Sequence, residues 1–221
     1  MTVIAIDGPS GVGKSSVSRE VARRSGYGYL DTGAMYRAVV WLCLNRGIAD
    51  PGDVVELVRG ADLEISTDPD VAEVTIDGID VTTEIREPEV SANAQIVSAV
   101  PEARTELIEL QRKIIAAAAP GIVVEGRDIT TVVAPEAEVR ILMTADESVR
   151  IARRSKELHG SADAAAVQAT RSQIVDRDAK DAQTTSFLTA ADGVHTLDTT
   201  DIDFEQSVAA VMGLVEKAEH D

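Results

Sequence analysis

The chain has 221 residues, 44% hydrophobic, 27% charged and only 3% aromatic. That is enough for one core domain with a modest insertion, around an aliphatic core of Val, Ile, Leu and Ala. A formal net charge of −17 repels polyanions, so neither nucleic acid nor an anionic membrane is an expected partner.

Val3–Ile6 reads as a short buried strand, residues 8–13 as a glycine-rich turn and Lys14–Ser25 as a helix. Tyr29-Leu30 is a second strand, followed by helices over Ala34–Leu44 and Asp53–Arg59. The pattern then changes. Leu63–Ser66 and Val74–Ile76 alternate like half-exposed strands, Asp77-Gly78 signals a hairpin, and Asp80–Glu84 is expected to continue extended. Pro101 opens a helix that runs to about Ala118. Ile122–Glu125 and Val139–Met143 are apolar strands, with helices from about Glu147 and about Asp163, a strand over Val194–Leu197 and a helix over Phe204–Ala218. Alternation of this kind predicts an α/β fold with a parallel sheet flanked by helices, interrupted by a small antiparallel insertion. Ligands bind such sheets outside the C-terminal strand ends.

Cys43 is the single cysteine, and His159, His195 and His220 are scattered. No disulfide within the chain and no zinc site are expected, which suits a reducing cytoplasm. No run is long and apolar enough to span a membrane, and the opening residues do not read as a cleavable leader.

Gly8-Pro9-Ser10-Gly11-Val12-Gly13-Lys14-Ser15 matches G-x-x-x-x-G-K-[ST] at every fixed position, between a strand and a helix. Glycines let backbone N–H groups turn around phosphate oxygens, and the helix start adds partial positive charge. Lys14 is expected to reach the β and γ phosphates and the Ser15 hydroxyl to join a Mg²⁺ shell. This motif alone does not separate kinases, GTPases and ATPases.

The basic residues comprise 16 arginines and five lysines, and arginine is the better bidentate phosphate ligand. Thr32 is read as a helix N-cap with Arg37 shortly after it; Arg37 either pairs with Asp31 or holds an anion. Arg104 lies beside the apolar stripe of its helix and either snorkels outward or faces a cleft. Arg127-Asp128 follows a core strand at the ligand edge of the sheet. Arg150, Arg153 and Arg154, spaced i, i+3, i+4, gather on one helix face. Arg177 and Asp181 at i, i+4 form a pair that ordinarily just stabilises a helix.

Taken together these segments resemble the bacterial cytidylate kinases. The resemblance is carried by the P-loop, by Leu30-Asp31-Thr32-Gly33-Ala34-Met35-Tyr36-Arg37, by Asp77–Thr82 with Glu84-Ile85-Arg86, and by Val124-Glu125-Gly126-Arg127-Asp128-Ile129 with Thr131–Val133. It implies the nucleoside monophosphate kinase fold, with a core over 1–60 and 97–221, an acceptor-binding insertion over 61–96 and a helical lid over about 150–182. It further implies that Gly8–Ser16, including Pro9, Gly11, Val12, Gly13 and Ser16, cradle ATP. Arg37 and Arg127 would hold the acceptor phosphate, Arg104 and Asp128 would face the cytosine, and Arg177 and Asp181 would touch the ribose or phosphate. Thr32 would bond near the phosphate or base, and Arg150, Arg153 and Arg154 would close on the transferring group.

Two departures stand out. Ala182–Leu188 lacks the arginine and the proline that the family places after Asp181, and Gln95 stands where a serine facing the base is expected. The expected activity is transfer of the γ-phosphoryl group of ATP to CMP or dCMP by a monomer. Kinases of UMP or shikimate, and a non-catalytic ATP-binding regulator, are the alternatives.

Overall fold

The computed structural model describes residues 1–161, 163–185 and 187–220, without the side chains of 164–166, 169, 172, 173, 176, 177, 219 and 220. In chain order, β1 (Thr2–Asp7) leads through the glycine turn into α1 (Lys14–Ser25), and β2 (Gly28–Asp31) into α2 (Thr32–Arg46) and α3 (Pro51–Gly60). A small unit follows: β3 (Leu63–Ile65), β4 (Val74–Ile76), β5 (Ile79–Asp80), and the short helices α4 (Pro88–Ala92) and α5 (Gln95–Ser98). The chain then returns through α6 (Pro101–Ala117), β6 (Gly121–Gly126), β7 (Val139–Thr144), α7 (Glu147–His159), α8 (Ala164–Asp181), β8 (His195–Asp198) and α9 (Phe204–His220).

Among the described residues the main sheet is parallel, in the order β2-β6-β1-β7-β8. Strands buried on both faces explain the unbroken apolar runs. Ile4 and Ile6 of β1 face one layer with Val17 and Val21 of α1 and Val208 and Val211 of α9. Val3 and Ala5 face the other, with Met35 and Val39 of α2 and Leu107 of α6. Ile76, Val81 and Ile85 of the small unit join that second core, so the unit is packed into the molecule through α2 and its neighbours.

The antiparallel hairpin forms where Asp77-Gly78 predicts it. Both residues have positive φ, 51° and 74°, as a two-residue turn between paired Ile76 and Ile79 requires. The expected extension over Asp80–Glu84 does not form. The Asp80 carboxylate accepts the Thr82 N–H at 2.9 Å, turning the chain out of the strand. A single 3₁₀ turn over Glu84–Arg86 then buries Ile85. Thr32 is also not the N-cap of α2. Asp31 is, its carboxylate accepting the Ala34 N–H at 2.9 Å, because the Thr32 hydroxyl donates instead to the Glu125 carbonyl on β6 at 2.7 Å.

Candidate active site

The C-terminal ends of β1, β2 and β6 open onto a cleft of about 590 Å³. Its floor is the turn after β1. Gly8, Gly11 and Gly13 take φ of 148°, 82° and 95°, a region that L side chains avoid. At Gly8 the neighbouring strand β7 also leaves no room: a Cβ there would lie 2.2 Å from the Met143 carbonyl oxygen. Ser10, Gly11, Gly13, Lys14, Ser15 and Ser16 line the cleft. Gly8 and Pro9 shape the turn beneath them, while Val12 is buried in the α1 core. Lys14 is nearly buried and its Nζ donates to the Pro9 carbonyl at 3.1 Å, which holds the ammonium over the loop.

Two carboxylates stand in register beside this floor, Asp31 at the end of β2 and Glu125 on β6. Burial and the charge of Asp31 push the Glu125 carboxyl above the usual range, while Lys14 pulls it back. The Tyr29 phenol and the Ser15 hydroxyl both bond to it. Burial would raise Asp31 as well, but the charge of Arg37, the Ala34 N–H and Arg19 outweigh burial and hold it low. Burial raises the phenols of Tyr29 and Tyr36, so both stay protonated donors. Among the described residues no cluster of three His, Cys, Asp or Glu could enclose a metal. The Ser15 hydroxyl bonded to Glu125, with Asp31 in register beside that carboxylate, is a sparse oxygen donor set that could hold a Mg²⁺ arriving with phosphate ligands.

On the opposite wall Arg37 pairs with Asp31 at 3.1 Å and Arg104 with Asp128 at 2.5 Å. Both arginines line the cleft with Thr32 and Tyr36; Arg104 therefore faces the cleft and does not snorkel outward. Gln95 is absent from the lining, whereas Ser91, Ala94 and Ser98 of α4 and the α4–α5 segment are in it. The loop carrying Arg127 and Asp128 is anchored from below. The buried Asp7 carboxylate accepts the Ile129 and Thr130 N–H groups at 2.9 and 2.8 Å and the Thr130 hydroxyl at 2.7 Å. An amide at this position would turn an NH₂ against one of these donors. Asp7→Asn is expected to cost about 1–3 kcal/mol, read as a lower urea midpoint at unchanged slope.

Arg127 lines the cleft and is tightly held. Its Nε donates to Asp181 at 3.0 Å, its Nη1 to the Gly8 carbonyl at 2.5 Å, and its guanidinium lies 4.8 Å from the centroid of the buried Phe187 ring. Arg150 donates to the Ser10 carbonyl at 3.0 Å and to Asp178 at 2.5 Å. Arg154 lines the cleft and pairs with Glu157 at 2.6 Å. Of the three, only Arg154 lines the cleft: Arg150 is held against the P-loop, and Arg153 turns away. It donates to the Thr199 hydroxyl and carbonyl and to the Ile202 carbonyl at 2.9, 2.6 and 3.2 Å, acceptors in the segment after β8. The side chain of Arg177 lies outside the described residues. Thr184 and Thr185 line the cleft where the family's further arginine is missing.

Sequence reasoning overlooked Asp178, Phe187, Arg19, Glu125 and Tyr36. Tyr36 and Glu125 stand within the segments that carry the family resemblance, and Asp178 precedes Asp181 by three residues, which puts two carboxylates on one face of α8.

Residues 4–217 match the family model for cytidylate kinase. A cytidylate kinase of Streptomyces avermitilis is 45% identical over 218 residues, covering 97% of this chain and 93% of the relative. Another, of Cutibacterium acnes, is 45% identical over 216 residues, covering 96% and 95%. Among solved structures, an uncharacterized protein from Eubacterium ventriosum aligns over 98% of both chains with a TM-score of 0.53 at 11% identity, a likeness in fold alone.

Proposed function

The chain belongs to the cytidylate kinase family, and on that premise we propose how its residues divide the transfer of the γ-phosphoryl group of ATP to CMP, giving ADP and CDP. The architecture is that of the P-loop kinases, and the protein is an ATP-dependent phosphotransferase. One observation carries the assignment of roles: the P-loop, the Arg37 and Arg127 cations and the Arg104–Asp128 pair all open onto a single cleft.

The amides of the P-loop and Lys14 hold the β and γ phosphates. Arg37 and Arg127 hold the phosphate of the acceptor, dCMP as well as CMP. Arg104 and Asp128 present a donor and an acceptor to the cytosine edge, a pairing that a pyrimidine bearing an amine beside a ring nitrogen complements. Ser91 of the insertion over 61–96 and Ser98 just after it cover the base in place of Gln95. Asp181 meets the ribose or phosphate, and the Thr32 hydroxyl braces the end of β2 against β6 beside it. Ser15, with Asp31 and Glu125 behind it, fits a Mg²⁺ that comes with ATP and lends charge neutralisation to the phosphates. The transferring group carries charge on its equatorial oxygens, which Lys14, Arg150 and Arg154 of the lid over about 150–182 stabilise. Arg153 serves by fixing α7 to the segment after β8. No helix among the described residues is long and apolar enough to cross a membrane. A monomer acting in the cytoplasm is the simplest setting for these small substrates.

The test is ADP release at fixed ATP and Mg²⁺ with CMP, dCMP, UMP, AMP and shikimate offered in turn. Fast release with CMP and dCMP alone is expected. Release without any acceptor, or with shikimate in preference, would overturn the assignment.

A further inference from the structure

Asp178, on the lid helix α8, belongs to none of the groups assigned above, yet it touches three of them. Its Oδ1 accepts the Ser10 N–H of the P-loop at 3.1 Å and lies 3.6 Å from Nη2 of Arg127. Its Oδ2 accepts from Nη1 of Arg150 at 2.5 Å, and that same nitrogen donates to the Ser10 carbonyl at 3.0 Å. We propose that Asp178 is a positioning residue for phosphoryl transfer. It sets the P-loop, Arg150 and Arg127 at fixed distances from one another without itself meeting the substrates.

The argument is electrostatic and geometric. Two guanidiniums with side chains only 17% and 11% exposed repel each other, and each needs a counter-charge once it has left water. A single carboxylate between them supplies that charge to both and fixes their separation. Arg150 and Asp178 also grip the Ser10 residue from both sides, by its carbonyl and its N–H. A peptide plane is rigid and trans. Holding the Ser10 carbonyl therefore fixes the direction of the Gly11 N–H, which belongs to the phosphate cradle. The acceptor-side cation Arg127 and the donor-side loop thus share one anchor on the lid.

This inference rests on the proposed phosphotransfer, and the experiment separates the two. Steady-state rates with ATP and CMP would be measured for the wild type, Asp178→Ala, Asp178→Asn, Arg150→Met and the Asp178→Ala/Arg150→Met pair, each with a thermal melt. Wild-type turnover is the control for the proposed function; if it is absent, that function fails. Given turnover, Asp178→Ala is expected to lower kcat by roughly 10–100-fold while KM for either substrate changes far less. Asp178→Asn, which keeps an oxygen for the Ser10 N–H, should fall in between. In the Arg150→Met background the Asp178→Ala effect should shrink to a few-fold, because the two side chains hold Ser10 together. A kcat unchanged in both Asp178 variants would overturn the proposal, as would losses that simply multiply in the pair. If Asp178→Ala melts too low to assay, Asp178→Asn and its pair with Arg150→Met decide on the same terms.

Discussion

Lys14→Ala is expected to reduce turnover by roughly 10²–10³-fold, the loss seen when one preorganised donor to a developing oxyanion is removed. Nearly buried between the P-loop and the Glu125 carboxyl, the ammonium sits where water cannot substitute for it. Its bond to the Pro9 carbonyl keeps it extended over the loop before substrate arrives, so little reorganisation remains for the transfer itself. The variant should fold, since alanine is the best helix former at the start of α1, and its melting temperature should fall by only a few degrees. Single-turnover ADP formation with saturating CMP separates this from weakened ATP binding. A rate within a factor of two of the wild type would remove Lys14 from the chemistry.

The second large effect is on stability. Gly8→Ala places a methyl group 2.2 Å from the Met143 carbonyl oxygen at a φ of 148°, so both overpacking and backbone strain apply. Each costs about 1–3 kcal/mol, and the sum of about 2–6 kcal/mol is a large part of the 5–15 kcal/mol that holds a typical domain together. A urea titration followed by far-UV circular dichroism should show the midpoint falling accordingly. A wild-type midpoint would mean that β7 yields easily, and would leave the tight β1–β7 approach without consequence. Gly13→Ala is a useful companion, since its φ of 95° is also one that L side chains avoid but a Cβ there meets nothing within 4 Å. It should cost the strain alone.

How much of this was legible in the sequence depends on how far apart the cooperating residues lie. The P-loop is a contiguous string whose chemistry and spelling coincide, and the central strands announce themselves because burial on both faces leaves no polar interruption. The hairpin at Asp77-Gly78 was readable for the same local reason. The stretch from Asp80 to Ser98 was not: α4 and α5 have five and four residues, too short for a helical period to show, and their shape is set by burying Val81, Ile85, Val90 and Val97 under α2. The spacing of Arg150, Arg153 and Arg154 predicted a shared face, yet Arg153 turns to acceptors 46 and 49 residues on. The role of Thr32 was misplaced because its partner is 93 residues away on another strand. Asp178 had one visible cue, but its contact with Ser10 spans 168 residues, and no local pattern encodes that.

Most arginines of the cleft share one further property. Four of them, Arg37, Arg104, Arg127 and Arg154, each face a carboxylate of the protein itself. Phosphate entering such a site exchanges one anion for another, and the displaced carboxylates are left to water, to a metal ion or to a hydroxyl of the ligand. The molecule therefore behaves as a small ion exchanger, selective because its resident anions are tethered. Its affinity for nucleotide grows from the difference between two sets of ion pairs, and added salt, which weakens both sets together, should move that difference less than it would for naked cations.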